Sequence, residues 1–582
     1  MRYILERILR SEAPLAKFLM SDLSRRAFFE SAALLGVSST LFPGILYAQS
    51  QKAEPISIED IEAAEKLAGL SFSPQERELM LEGLRGNLDR FESIRSLKLE
   101  NSTIPSVVFD PQIGGKKAPV LEGKTAIEWL PESLDRPTTD EDLAFLTVPE
   151  LSSLLKNRKV TSVELTELYL DRLRKYDPVL ECVVTLTEER ARRQARAADA
   201  EMDSGNWRGP LHGVPWGAKD LLSVSGYPTT WGAMPYKDQV LDTDAEVVQR
   251  LDDAGAVLIA KLTLGALAMG DVWFGGKTKN PWNLERGSSG SSAGPGSAVA
   301  GGLVGFAIGS ETLGSIVSPS TRNGVTGLRP TFGRVSRNGA MTLSWTMDKL
   351  GPMCRSAEGC ALVFSAIHGH DPTEPTTLTT EFSWPSNRSE MDLRVGVLSE
   401  GFESEEDRAV LDVLRDAGIR FRDVSFPEMD TSGMLLMLSV EAAAAFDDLT
   451  RSNRDDLLVR QDRGAWPNSF RKAQMIPAVE YVNASRARTV LMKEMHEMFE
   501  HIDVLVTPTF GNAGLRITNL TGHPCVTMPH HFAELEDAPE SDRRNPSSIT
   551  IIGGLYRDEA VLSLAALYQS RTEFHRLRPP IS

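Results

Sequence analysis

The stretch from Gly287 to Pro330, GSSGSSAGPGSAVAGGLVGFAIGSETLGSIVSPSTRNGVTGLRP, constrains this chain more than any other. It is rich in Gly, Ser, Thr and Ala, yet its apolar run Leu303 to Ile308 reads as a buried strand, which a flexible spacer does not carry. Small side chains let backbone approach a ligand closely, and clustered hydroxyls supply nucleophiles and proton relays. The stretch therefore reads as an active-site scaffold: two turns joined by a strand, the second turn being Gly309 to Ser315.

Elsewhere helices and strands alternate. Thr161-Ser162-Val163-Glu164 predicts a capping-box helix start, Val183 to Leu186 a strand, and a long helix follows to about Met202. Asp244 is expected to cap a helix that stops at Gly255, before a buried strand from Ala256 to Ala260. Val395 to Leu398, a helix near 405–417, Phe421 to Phe426, and Ile502 to Val506 continue the alternation. This implies an α/β domain with a parallel or mixed sheet, spanning residues 141–582. Before it lie a helical module at 57–98, expected to pack on the main body, and a proline-containing connecting arm at 99–140.

The first 48 residues form a leader. Arg25-Arg26 precedes a short apolar stretch, Ser31 to Leu46, that ends at Leu46-Tyr47-Ala48, the pattern of a twin-arginine export signal. Export to the periplasm or medium, with cleavage near Ala48 and no stable membrane insertion afterwards, is the expectation. A net charge of −17 argues against nucleic-acid binding. Four scattered cysteines and isolated histidine pairs provide no metal set, so no metal or cofactor is expected, and the four thiols read as isolated.

Lys219 ends the segment Leu211-His212-Gly213-Val214-Pro215-Trp216-Gly217-Ala218-Lys219-Asp220, where apolar neighbours would lower its pKa and make it a base. With this segment, Gly290-Ser291-Ser292-Ala293-Gly294, Gly309 to Ile316, Gly327-Leu328-Arg329-Pro330-Thr331 and Asn519 to Pro529, the chain resembles the amidase signature family in the family's own order. The resemblance implies a large mixed β-sheet flanked by helices, with residues 57–98 as a small helical appendage. It also implies hydrolysis of a carboxylic amide C–N bond through an acyl-enzyme.

Carried over to matching positions, Ser315 is the nucleophile, Ser291 the relay across a cis peptide, and Lys219 the base. Ser291 is preferred to Ser288 because it needs no insertion before Ser315. The backbone of Thr312, Leu313 and Gly314 would form the oxyanion hole. The family has Asp at Glu311, Gly at Leu313 and Arg at Val317, so an ionic support is missing unless Arg322 or Arg329 replaces it. Trp231, Met269, Trp273, Phe274 and Trp345 are candidate pocket residues. The expected partner is a small-molecule amide, and a homodimer is allowed.

Three other readings compete with this one. Gly290 to Gly294 fits the GxSxG elbow of α/β-hydrolases, but no apolar strand is visible before it. A non-catalytic binding protein on the amidase fold would not need all three triad residues. The chain also fits the glutamine-amidase component of a tRNA amidotransferase, whose small helical partner the 57–98 module resembles.

Overall fold

The computed structural model describes residues 56–97, 99–112, 126–127, 133–398 and 401–581. The leader and its twin-arginine pattern lie outside them.

Two helices open the described chain, α1 (Ile58–Ala68) and α2 (Pro74–Arg95), each started by a serine capping box, Ser57 with Asp60 and Ser73 with Glu76. Arg77 joins them by pairing with Glu65 at 2.8 Å. Contrary to the expectation that this module packs on the main body, α2 buries none of its residues, and Leu79, Leu88, Phe91 and Ile94 are exposed.

The arm that follows is fixed at two points. Asn101 exchanges two hydrogen bonds with the backbone of Thr342, at 2.9 and 2.7 Å. Further on, the Phe109 ring lies 3.4 Å beneath the Arg488 guanidinium and edge-on to Phe332.

The main body is built on one sheet of eleven strands. In chain order these are β1 (Val183–Leu186), β2 (Pro215–Lys219), β3 (Val257–Leu262), β4 (Phe306–Glu311), β5 (Thr326–Arg329) and β6 (Lys349–Cys354). They continue with β7 (Val395–Val397), β8 (Phe421–Asp423), β9 (Val504–Pro508), β10 (Cys525–Glu534) and β11 (Arg544–Gly553). Across the sheet the order is β8-β7-β9-β11-β10-β5-β6-β4-β2-β3-β1. β8, β7 and β9 are parallel at one side, β4, β2 and β3 near the other, and the strands between are antiparallel. The expected mixed α/β architecture is thus present.

β2 lies between β4 and β3, and all five of its residues are buried. A strand covered on both faces reads as a continuous apolar run rather than an alternating one, which is why Pro215-Trp216-Gly217-Ala218 precedes the lysine. Trp216 stacks on its register partner Phe306 at 5.9 Å.

Among the helices, α3 (Ser162–Leu180) begins at the expected Thr161 capping box, whereas α4 (Glu246–Asp253) is capped by Ala245 without a side-chain bond. Asp244, expected to cap α4, instead accepts from the Ser225 amide and pairs with Arg190. Ala293 to Ala300, which carries no helix signal in the sequence, forms helix α5 with every residue buried. Its small side chains let neighbouring backbone lie against it, since a Cβ on Gly294 would meet the Thr263 amide nitrogen at 2.4 Å. A short helix α6 (Val317–Asn323) follows Ser315. All four cysteines are free and buried. Among the described residues, no helix is long and apolar enough to cross a membrane.

Candidate active site

The site forms where β2 and β4 end and α5 begins. Parallel pairing of Gly217 with Ala307 and Ala218 with Ile308 carries Lys219 to the same end of the sheet as Ser310. The Lys219 ammonium nitrogen lies 2.8 Å from Ser291 Oγ, 3.1 Å from Ser292 Oγ and 2.8 Å from Ser310 Oγ. Ser292 Oγ also donates to the Ser310 carbonyl and accepts from its amide, both at 3.1 Å. That pairing ties the start of α5 to the end of β4.

Lys219 is fully buried, and loss of hydration lowers its pKa well below that of an ordinary lysine. The charges of Asp348 and Glu311 oppose the shift without cancelling it. A neutral amine keeps a lone pair, so Lys219 can donate to Ser292 and Ser310 while accepting the Ser291 hydroxyl.

Ser291 follows a cis peptide bond from Gly290. Ser288, the alternative register, donates its hydroxyl to the Ser289 carbonyl instead. Ser315 is held through its backbone, its carbonyl accepting from the Ser292 amide at 3.1 Å. Its hydroxyl has no hydrogen-bond partner among the described residues. Exposure separates the three groups: 0 % for Lys219, 1 % for Ser291 and 8 % for Ser315. Ser315 is the most exposed of the three.

The turn before Ser315 depends on Gly314, whose φ of 85° lies in the left-handed region. Leu313, which departs from the family pattern, is half-buried there. Beyond Ser315, the Ile316 and Val317 amides donate to Glu311 Oε2 at 2.8 and 2.9 Å. Glu311 Oε1 accepts from Arg329 and Asn519, each at 2.8 Å. Burial pushes the Glu311 carboxyl up, but the Arg329 charge and the Val317 amide outweigh it and hold the group down at about 2. Of Arg322 and Arg329, the two arginines considered for ionic support, Arg329 is the one that pairs with Glu311.

A cavity of 110 Å³ opens beside this turn, with Ser310, Thr312, Asp348 and Trp345 in its wall. Thr312 donates to Asp348 at 2.5 Å. Of the five candidate pocket residues, Trp345 lines this cavity, while Trp231 and Trp273 are buried and the half-buried Phe274 packs edge-on against Trp273. Met269 lines a separate small hollow. His212 is buried away from the serines, accepting from the Arg208 amide at 3.2 Å.

The α/β-hydrolase elbow calls for an apolar strand before Gly290. A strand, Asn283–Gly287, does precede it, but it is largely exposed and belongs to a separate two-stranded hairpin. Sequence reasoning missed Ser292, Ser310 and Asp348, whose partners are distant in the chain and carry no local pattern.

A family model described as Amidase matches residues 164–562. A glutamyl-tRNA(Gln) amidotransferase component from Moorella thermoacetica is 32 % identical over 76 % of this chain and 99 % of its own length. The peptide amidase of Stenotrophomonas maltophilia superposes with a TM-score of 0.63 and 28 % identity, over 75 % of this chain and 98 % of its own. A structure described as a vestigial protein complex revealing the evolutionary origins of an s-triazine catabolic enzyme has a TM-score of 0.66 and 27 % identity. It covers 73 % of this chain and 98 % of its own.

Proposed function

Because this chain belongs to the amidase family and is an amide-hydrolysing enzyme, we propose that it cleaves the C–N bond through an acyl-enzyme on Ser315. The observation that supports this reading is the burial of Lys219, hydrogen-bonded to Ser291, close to Ser315, the most exposed of the three groups.

The Ser315 side chain turns toward Ser291 as substrate binds, closing a contact that is often looser without substrate. Ser315 Oγ attacks the carbonyl carbon, its proton passes to Ser291, and the Ser291 proton passes to Lys219. The oxyanion is met by backbone amides of the Thr312–Leu313–Gly314 turn, a type of contact worth about 3–4 kcal/mol per donor. Lys219 then returns its proton through Ser291 to the nitrogen, so an amine leaves rather than an amide anion. Water, deprotonated by the same pair, releases the carboxylic acid and restores Ser315.

The curated relatives support a second reading of the substrate, in which the chain is the glutamine-amidase component of an amidotransferase that works with a partner protein. Release of ammonia from glutamine, raised by a co-purifying partner, would support that reading, and free hydrolysis of simple amides alone would count against it. We further propose export with cleavage near Ala48. An intact N-terminus on protein recovered outside the cytoplasm would contradict it.

Ser315→Ala tests the central reading. Turnover of every amide substrate should be lost, and a fluorophosphonate, located by mass spectrometry, should label Ser315 and not Ser291. Retained turnover in the variant would sink the assignment.

A further inference from the structure

Resting on the reading of Ser315 as nucleophile, we propose that Ile104, in the arm ahead of the amidase-matched region, forms a wall of the substrate cavity and sets the size of the group that enters it. Ser102 and Ile104 line the cavity beside the Thr312 turn together with Ser310, whose hydroxyl lies 2.8 Å from the Lys219 side-chain nitrogen. Both lie outside residues 164–562, where the family model matches. The arm is held on each side of Ile104, by the paired Asn101–Thr342 hydrogen bonds and by Phe109 beneath Arg488. Ile104 itself is half-buried, although its neighbours Thr103 and Pro105 are exposed. A side chain turned inward between two fixed points is a wall, and its volume limits what fits beside it.

The charges around the cavity are already engaged. Arg337 spans both Glu374 oxygens, at 3.1 and 3.0 Å. Asp348 accepts from Thr312 and from the Leu343 and Ser344 amides. With those charged groups engaged by the protein, the bulk of Ile104 bears directly on what fits beside it. A cavity of about 150 Å³ holds a benzene ring, so 110 Å³ admits a group of roughly four or five heavy atoms.

The test uses the full chain and two fluorophosphonates, one with an ethyl and one with an octyl chain, comparing rates of labelling at Ser315. The wild-type protein should react faster with the ethyl probe. Ile104→Ala should raise the octyl-to-ethyl ratio about tenfold, the order expected when a pocket gains a few methylenes of room. Ile104→Trp should lower it, and Val107→Ala, on the exposed side of the arm, should leave it unchanged. A ratio that stays at the wild-type value in both Ile104 variants would overturn the arm's role while leaving the nucleophile in place. Absence of labelling at Ser315 in the wild-type protein would instead overturn the reading on which the inference rests.

Discussion

Glu311 and Arg329 form an ion pair at 2.8 Å with neither side chain exposed to solvent. The second carboxylate oxygen of Glu311 holds the Ile316 and Val317 amides, so the pair anchors the chain directly after Ser315. Removing one partner leaves the other charged and buried, which costs about 3–5 kcal/mol. Arg329→Met should therefore lower stability by that amount, and Glu311→Gln should cost less, because Arg329 keeps the Thr518 hydroxyl and the His523 carbonyl as acceptors. Denaturant unfolding of both variants checks the ranking.

The same pair sets an acid limit. The Glu311 carboxyl lies at about 2, below its unfolded value, so its contribution is complete above the unfolded pKa and is lost as pH falls toward 2. The wild-type protein should lose stability over this window more steeply than Glu311→Gln. Parallel slopes in acid melts would contradict this.

Lys219 and His212 offer contrasting variants. Lys219 touches three serine hydroxyls, whereas His212 bonds the Arg208 amide away from them. Lys219→Ala should lower kcat by at least about 100-fold, as removal of a positioned base does. His212→Ala should affect stability more than turnover. The reverse order in steady-state kinetics would point to a histidine base.

The base must be neutral to work. Burial lowers the Lys219 pKa, so activity should rise with pH and level off well below the range where an ordinary lysine deprotonates. A kcat/KM profile that keeps climbing through the ordinary lysine range would mean that Lys219 is hydrated in the free enzyme.

Packing in α5 gives a further expectation. A methyl on Gly294 would meet the Cys182 carbonyl oxygen at 2.6 Å as well as the Thr263 backbone. Gly294→Ala should destabilise by about 1–3 kcal/mol, the usual cost of overfilling a packed interior. A thermal melt matching the wild type would show that the helix shifts freely.

Much of this was legible in the sequence because it was local. The capping box at Thr161 depends on residues three apart, and the buried run before Lys219 is contiguous. The pairing of Lys219 with Ser291 was reachable only through resemblance, since 72 residues separate them. Other features left no signal. α5 is composed of Ala, Gly, Pro, Ser and Val, a mixture whose intrinsic helix preference is weak, and burial decides its form. Arg329 became the partner of Glu311 through strand placement, which spacing does not reveal. The arm has no periodicity, so neither its two attachments nor the inward turn of Ile104 was foreseeable.

The tight seating of α5 also bears on where the site can change. A Cβ on Gly290 would overlap the Gly270 carbonyl, and one on Gly309 would press on Ser292 Oγ. At these two glycines beside the reacting hydroxyls there is no room for a side chain, so a substitution there has to displace neighbouring atoms. A change in what the site accepts therefore has more room in walls such as the arm than in the turns that carry the hydroxyls.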